Sequence, residues 1–300
     1  MSINAPAPPP NCAPPDFRPR RPRIALPEGA CDCHAHILGP ARAHPYAPQR
    51  VYTPPDCLLP DYERMLAALG LERAVLVQPS VYARDNTVLL EALARGGGRY
   101  RGVAVVSPEI QDAELEQLDA QGVRGVRVNV VDVPGRRPGA LPLEELRTLA
   151  RRVAPLGWHL ELLLHVDEFP ELDRMLAGFP ADVVLGHLGY MKTGRGVADA
   201  GFRALLRLLG AGRCWVKLTG PYRLSAAPLP YADVIPFARA LAEARPDRLL
   251  WGSDWPHVML KGAMPNDADL IELLTDWLPG DALRRRVLAE NPAALYGFAG

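Results

Sequence analysis

The chain has 300 residues and is 48% apolar, enough to bury a large core as one α/β domain or two small ones. Its 34 Lys and Arg balance its 34 Asp and Glu, so no basic excess argues for nucleic acid, no basic amphipathic segment argues for a membrane surface, and a small-molecule enzyme fits better than either. Cys12, Cys31, Cys33, Cys57 and Cys214 are odd in number and irregular in spacing, which suits a reducing cytoplasm better than a disulfide framework.

Residues 1–29 read as a proline-rich arm, disordered or wrapped on the surface, with Arg18, Arg20 and Arg21 in solvent. The arm lacks the continuous apolar core of a signal peptide, and no run is long enough to span a bilayer. Residues 30–300 then alternate short apolar runs with amphipathic stretches. The first predicted strand covers 31–37. Period-two alternation puts Asp32, His34 and His36 on one face, with the two imidazoles about 7 Å apart. Cys31, Cys33, Ala35 and Ile37 take the other face, where the thiols pack against helices as small apolar groups.

A long loop over 38–59 leads to a helix over 60–69. Further strands are predicted at 73–78, 100–106, 122–130, 158–165, 183–187, 214–219 and 248–252. Helices fit at 86–95, 111–120, 142–154, 168–178, 200–210, 231–244, 267–278 and 281–289. The strands are Val- and Leu-rich and apolar on both faces, the pattern of parallel strands covered by helices. Eight strand–helix units match a single (β/α)8 TIM barrel. A doubly wound sheet is the alternative, but Gly-x-Gly-x-x-Gly is absent after the first strand, and Gly96-Gly97-Gly98 reads as a helix-ending loop.

In such a barrel the chemistry collects at the carboxyl ends of strands. There the sequence places His34 and His36, Gln78 and Ser80, Arg127 and Asn129, His165 and Asp167, His187, Lys217 and Thr219 with Tyr222 and Arg223 beyond, and Asp254 with His257. Each has a plain structural explanation. His187 alone suits a core histidine, Asp254 a turn cap, Lys217 a buried ion pair, and Arg127 a barrel salt bridge; His44 and His159 suit surface or structural roles. The ensemble argues otherwise, because three histidines and an aspartate arrive from strands one, six and eight of one barrel.

The segments Asp32-Cys-His34-Ala-His36, Val184-Leu-Gly-His187-Leu-Gly, Lys217-Leu-Thr-Gly and Trp251-Gly-Ser-Asp254-Trp-Pro-His257 resemble the amidohydrolase superfamily. More narrowly they are similar to the branch containing 2-pyrone-4,6-dicarboxylate lactonase, as is the closing Glu290-Asn-Pro-Ala-Ala-Leu-Tyr-Gly-Phe298. The resemblance implies that Asp254 takes a proton from water and that His34, His36 and His187 polarise the attacked carbonyl, directly or through a divalent metal. No obligatory cofactor is expected. If a single zinc or manganese ion binds, the ligands would be His34, His36, His187 and Asp254, with His165 a further candidate.

The resemblance also assigns Tyr52, Ser80, Arg127 and Arg223 to a small anionic substrate, since arginine grips carboxylates through a planar two-pronged pair. The family's second arginine after strand four has no counterpart in Val130-Val-Asp132-Val-Pro-Gly135, and arginines return only at Arg136 and Arg137. The expectation is therefore a cytoplasmic hydrolase that opens a carboxylated lactone. The alternatives are a metal-dependent decarboxylase of the same superfamily acting on an aromatic or dienoic acid, and a non-enzymatic barrel kept as an anion-binding or scaffold protein. A homo-oligomer is compatible with any of them.

Overall fold

Eight parallel strands follow one another around a barrel in the computed structural model, which describes residues 8–131 and 136–298. They are β1 (Cys31–Ala35), β2 (Arg73–Val77), β3 (Tyr100–Ala104), β4 (Val123–Asn129), β5 (His159–Leu163), β6 (Val183–Leu185), β7 (Cys214–Leu218) and β8 (Leu249–Trp251). Neighbours from β1 to β8 pair in parallel register. The ring closes just past β8, where Asp254 N donates to His34 O (2.8 Å) and His36 N to Trp255 O (2.8 Å). Closure thus runs through backbone beside the expected catalytic residues.

Helices cover the outside. In α1 (Leu59–Leu69), Leu59, Tyr62, Met65, Leu66 and Leu69 form one buried stripe, Pro60 starts the helix, and Gly70 ends it in the left-handed region, its N–H on Leu66 O at 2.9 Å. The helices α2 (Thr87–Arg95), α3 (Asp112–Ala120), α4 (Leu143–Val153), α6 (Ala200–Gly210) and α7 (Ile235–Ala244) lie where expected, give or take a few end residues. The helix expected over 168–178 shortens to α5 (Leu172–Met175), because Pro170 keeps Phe169 out of helical geometry (φ −129°, ψ 72°). The stretch 267–278 splits into α8 (Asp267–Glu272) and α9 (Leu274–Trp277). After α10 (Asp281–Arg285) a π-turn leads into α11 (Asn291–Tyr296).

The first strand departs from simple alternation. Asp32 pairs with Ala74 and Ala35 with Leu76, so β1 fits three steps against two of β2. This bulge turns Asp32 toward Tyr62 of α1, whose hydroxyl donates to it at 2.9 Å, while His34 and His36 keep facing the barrel mouth. Asp32 is thus not on the histidine face. Cys31 and Cys33 do not face the outer helices either; they lie inside the barrel with Val75, Val103, Val184, Trp215 and Leu250, above Tyr296 of α11 and Phe298.

Residues 8–29 of the arm start by the barrel mouth and run down the outside past residues 67–70 to the start of β1. Cys12 N donates to Thr53 O and Thr53 N to Pro10 O, both at 2.8 Å, which stitches the arm to the β1–α1 loop. Cys12 Sγ accepts from Met259 N (3.3 Å), Asn266 holds Asp16 and Arg18, and Arg20 and Arg23 pair with Asp269 and Glu272, which stitches it to the β8–α8 region. The expectations for residues 1–7 and for Asp132–Gly135 lie outside the described residues. No helix among the described residues is long and apolar enough to cross a membrane.

Candidate active site

The four residues singled out by their motifs meet at the carboxyl end of the barrel. His34 stacks edge-on against His36 (ring centroids 5.0 Å) and His187 (5.3 Å), and its Nε2 lies 3.7 Å from Asp254 Oδ1. His187 and Asp254 take left-handed backbone angles (φ +49° and +65°), an uncommon geometry for residues with side chains that turns both inward just past their strands. Gly220 makes room for them: a Cβ there would stand 2.8 Å from His187 Nδ1 and 3.2 Å from Asp254 Oδ2.

Hydrogen bonds fix what each group can do. His36 donates Nδ1–H to Val77 O (2.7 Å), which leaves a lone pair on the other nitrogen of the neutral ring. His34 Nδ1 sits between Lys217 Nζ (3.2 Å) and Glu161 Oε1 (3.3 Å), and Lys217 and Glu161 are themselves paired at 2.5 Å in the buried interior. If Lys217 holds Nδ1, His34 presents an N–H to the site; if Glu161 holds it, His34 presents a lone pair. Asp254 Oδ2 accepts from Arg223 Nε and Tyr222 OH, each at 2.7 Å, which leaves Oδ1 facing His34.

The electrostatics follow from this packing. Burial disfavours charge on Asp254, but the Arg223 guanidinium, and after it the rings of His187, His34 and His36, hold its carboxyl well below the usual carboxylate range. Burial likewise works against Glu161, and Lys217 more than reverses it. Burial lowers His34, with Lys217 adding to the effect, and pushes His36 and His187 well below an ordinary histidine. All three imidazoles are therefore neutral at pH 7, and Asp254 is ionised.

A cavity of about 230 Å³ opens onto this cluster, lined by His36, His187, Asp254, Tyr52, Ser80, Arg127 and Arg223 among others. His34 lies behind that surface. The four residues expected to hold substrate thus share one cavity, but their freedom differs. Arg127 is buried and donates Nη1 to Gln78 O (3.2 Å), whereas Arg223 spends Nε on Asp254 and Nη2 on Val258 O (3.1 Å). Arg136 is drawn away to Glu168 (2.8 Å), and neither it nor Arg137 lines the cavity.

His34, His187 and Asp254 present ligand atoms within 4.8 Å of one another, and His34 Nε2 and His187 Nδ1 have no hydrogen-bond partner. Two orphaned imidazole nitrogens beside a carboxylate fit one divalent ion. Among the described residues His36 and His165 stand outside this set. The strand-five residue His165 lies past the end of β5, where it gives Nδ1 to Tyr190 O (2.6 Å) and stacks on the Tyr190 ring.

Several neighbours were not singled out from sequence. Glu161 is a lone acid in the apolar run His159–Leu163, and that misfit was the available signal. Tyr190 carried no signal at all. Tyr222 and His257 stand at strand ends in the sequence but carry no assigned role there; they bond each other (2.9 Å), and His257 Nε2 lies 3.1 Å from the buried Asp267.

A family model described as amidohydrolase matches residues 31–298. The chain is 39% identical over 290 residues to the 4-sulfomuconolactone hydrolase of Rhizobium radiobacter, covering 96% of each chain. It is 38% identical over 287 residues to the 2-pyrone-4,6-dicarboxylate hydrolase of Comamonas testosteroni, covering 93% of each. A Pseudomonas putida crystal structure assigned as a 2-pyrone-4,6-dicarboxylic acid hydrolase superposes with a TM-score of 0.79 at 34% identity, over 92% of this chain and 100% of that one. A barrel closed through its histidine strand, with three imidazoles and an aspartate at its mouth, thus comes with a family match over nearly its whole length, and the chain belongs to the amidohydrolase family.

Proposed function

We propose that this hydrolase opens the ring of a carboxylated lactone. The convergence of ionised Asp254, neutral imidazoles and buried Arg127 on one cavity carries the reading, and the two lactone hydrolases to which the chain is 39% and 38% identical support it. Arg127, with Tyr52 and Ser80, orients a substrate carboxylate so that the lactone carbonyl lies beside His187. Asp254 takes a proton from water through Oδ1 while Arg223 and Tyr222 anchor Oδ2. The water oxygen adds to the carbonyl carbon, and the charge gathering on the carbonyl oxygen is met by an N–H of His187. Collapse breaks the bond to the ring oxygen, which leaves as the alcohol or enol of the opened acid, carrying a proton returned from Asp254. A zinc or manganese ion held by His34, His187 and Asp254 would supply Lewis-acid polarisation of the same carbonyl. All five cysteines are free, which fits a cytoplasmic setting.

A panel of carboxylated lactones and aromatic acids, assayed with and without chelator, tests this reading. Ring-opened acids as the products, with no release of carbon dioxide, are expected. Carbon dioxide release from an aromatic acid, lost on chelation and restored by stoichiometric metal, would support the decarboxylase instead. That second reading draws on the same three potential metal ligands.

A further inference from the structure

We propose that Arg50 is a specificity-determining residue, holding the second anionic group of a dianionic lactone. This inference rests on the lactonase reading and concerns the same cavity. The charges around that cavity pair off unevenly. Asp254 is matched by Arg223 (2.7 Å) and Glu161 by Lys217 (2.5 Å). Arg127 and Arg50 both line the cavity, and neither has a carboxylate within 4.0 Å among the described residues. Arg136, the loop cation that sequence offered for a second anion, is already taken by Glu168.

Arg50 is built into its place. Its backbone N–H closes a turn onto Ala47 O (3.2 Å), its Nε donates to Thr53 Oγ1 (3.2 Å), and its guanidinium stands 5.9 Å over the Tyr46 ring. Thr53 is in turn fixed by the backbone ladder to Pro10 and Cys12. Arg50 Nη1 also donates to Ala47 O (3.4 Å), so this half-buried guanidinium, with no acid beside it, is held at Nε and Nη1 and presents Nη2 to an anion oxygen. Buried Arg127 lies close to the reacting cluster, so it takes the anion nearer the lactone carbonyl, and the less buried Arg50 takes the distal one.

Calorimetric titration of the full-length protein with benzene-1,3-dicarboxylate and with benzoate reads this without needing turnover. Arg50→Gln should weaken dicarboxylate binding roughly ten- to a hundredfold and leave benzoate within about twofold, while Arg50→Lys recovers part of the loss. With a dicarboxylated lactone the loss should appear in KM rather than in kcat. The inference is overturned if Arg50→Gln leaves the dicarboxylate unchanged, if it weakens both ligands equally, or if the unaltered protein binds the dicarboxylate no better than benzoate. Arg50-dependent dianion binding in a protein that opens no lactone would sink the lactonase reading and leave this one standing. Lactone opening with an unaltered KM in Arg50→Gln would do the reverse.

Discussion

The chemistry of single residues here is set by what their far sides touch. His34 meets the Lys217–Glu161 pair through Nδ1, so a buried ion pair that looks purely structural decides whether Nε2 offers a proton or a lone pair. Glu161→Gln leaves the Lys217 ammonium buried without a counter-charge, and urea unfolding should register a loss of about 3 kcal/mol. The double change Glu161→Leu with Lys217→Met should recover most of that stability while kcat stays low, because His34 Nδ1 has then lost both partners. Normal turnover in the double variant would show that the pair serves only the barrel. Sequence made His34, His36, His187 and Asp254 legible because each sits in a short motif at a strand end. Glu161 escaped because a single acid among leucines reads as noise until the barrel's inward parity places it opposite Lys217.

Elements were legible where local signals and packing agree. The Ala200–Gly210 helix matches expectation, with Asp199 capping it through Gly201 N (2.8 Å) and an apolar stripe behind. The failures have local causes: the β1 bulge defeats strict alternation, and Pro170 cuts one helix short. The proline-rich arm was the least legible, since its side-chain partners Asn266, Asp269 and Glu272 lie about 250 residues downstream. It joins Thr53 on one side of the cavity to Met259 on the other, and Tyr52 and Met259 both line that cavity. Removing residues 1–23 should free both segments, raising KM roughly three- to tenfold, with a smaller change in kcat. Steady-state kinetics of the shortened chain checks this, and an unchanged KM would show that the arm is mere covering.

At the scale of the whole molecule, the barrel separates stability from chemistry. Its lower interior is closed by Tyr296 and Phe298 against Cys31, Cys33, Trp215 and Leu250, and Asn291 ties the last helix to Pro246 O and Leu249 O. Its upper end is closed by backbone bonds of His34 and Asp254, so assembling the ring assembles the site. Sequence carried the eight-fold alternation plainly, since strand and helix periods differ, but it could not show which inward residues share a layer, because that depends on strand register. In the proposed reaction everything turns on Asp254 activating the water that opens the ring. Turnover of a dicarboxylated lactone by Asp254→Asn, with circular dichroism confirming the fold, tests it most directly. A kcat lower by about a thousandfold or more is expected; a kcat within about tenfold of the unaltered enzyme would contradict that role for Asp254.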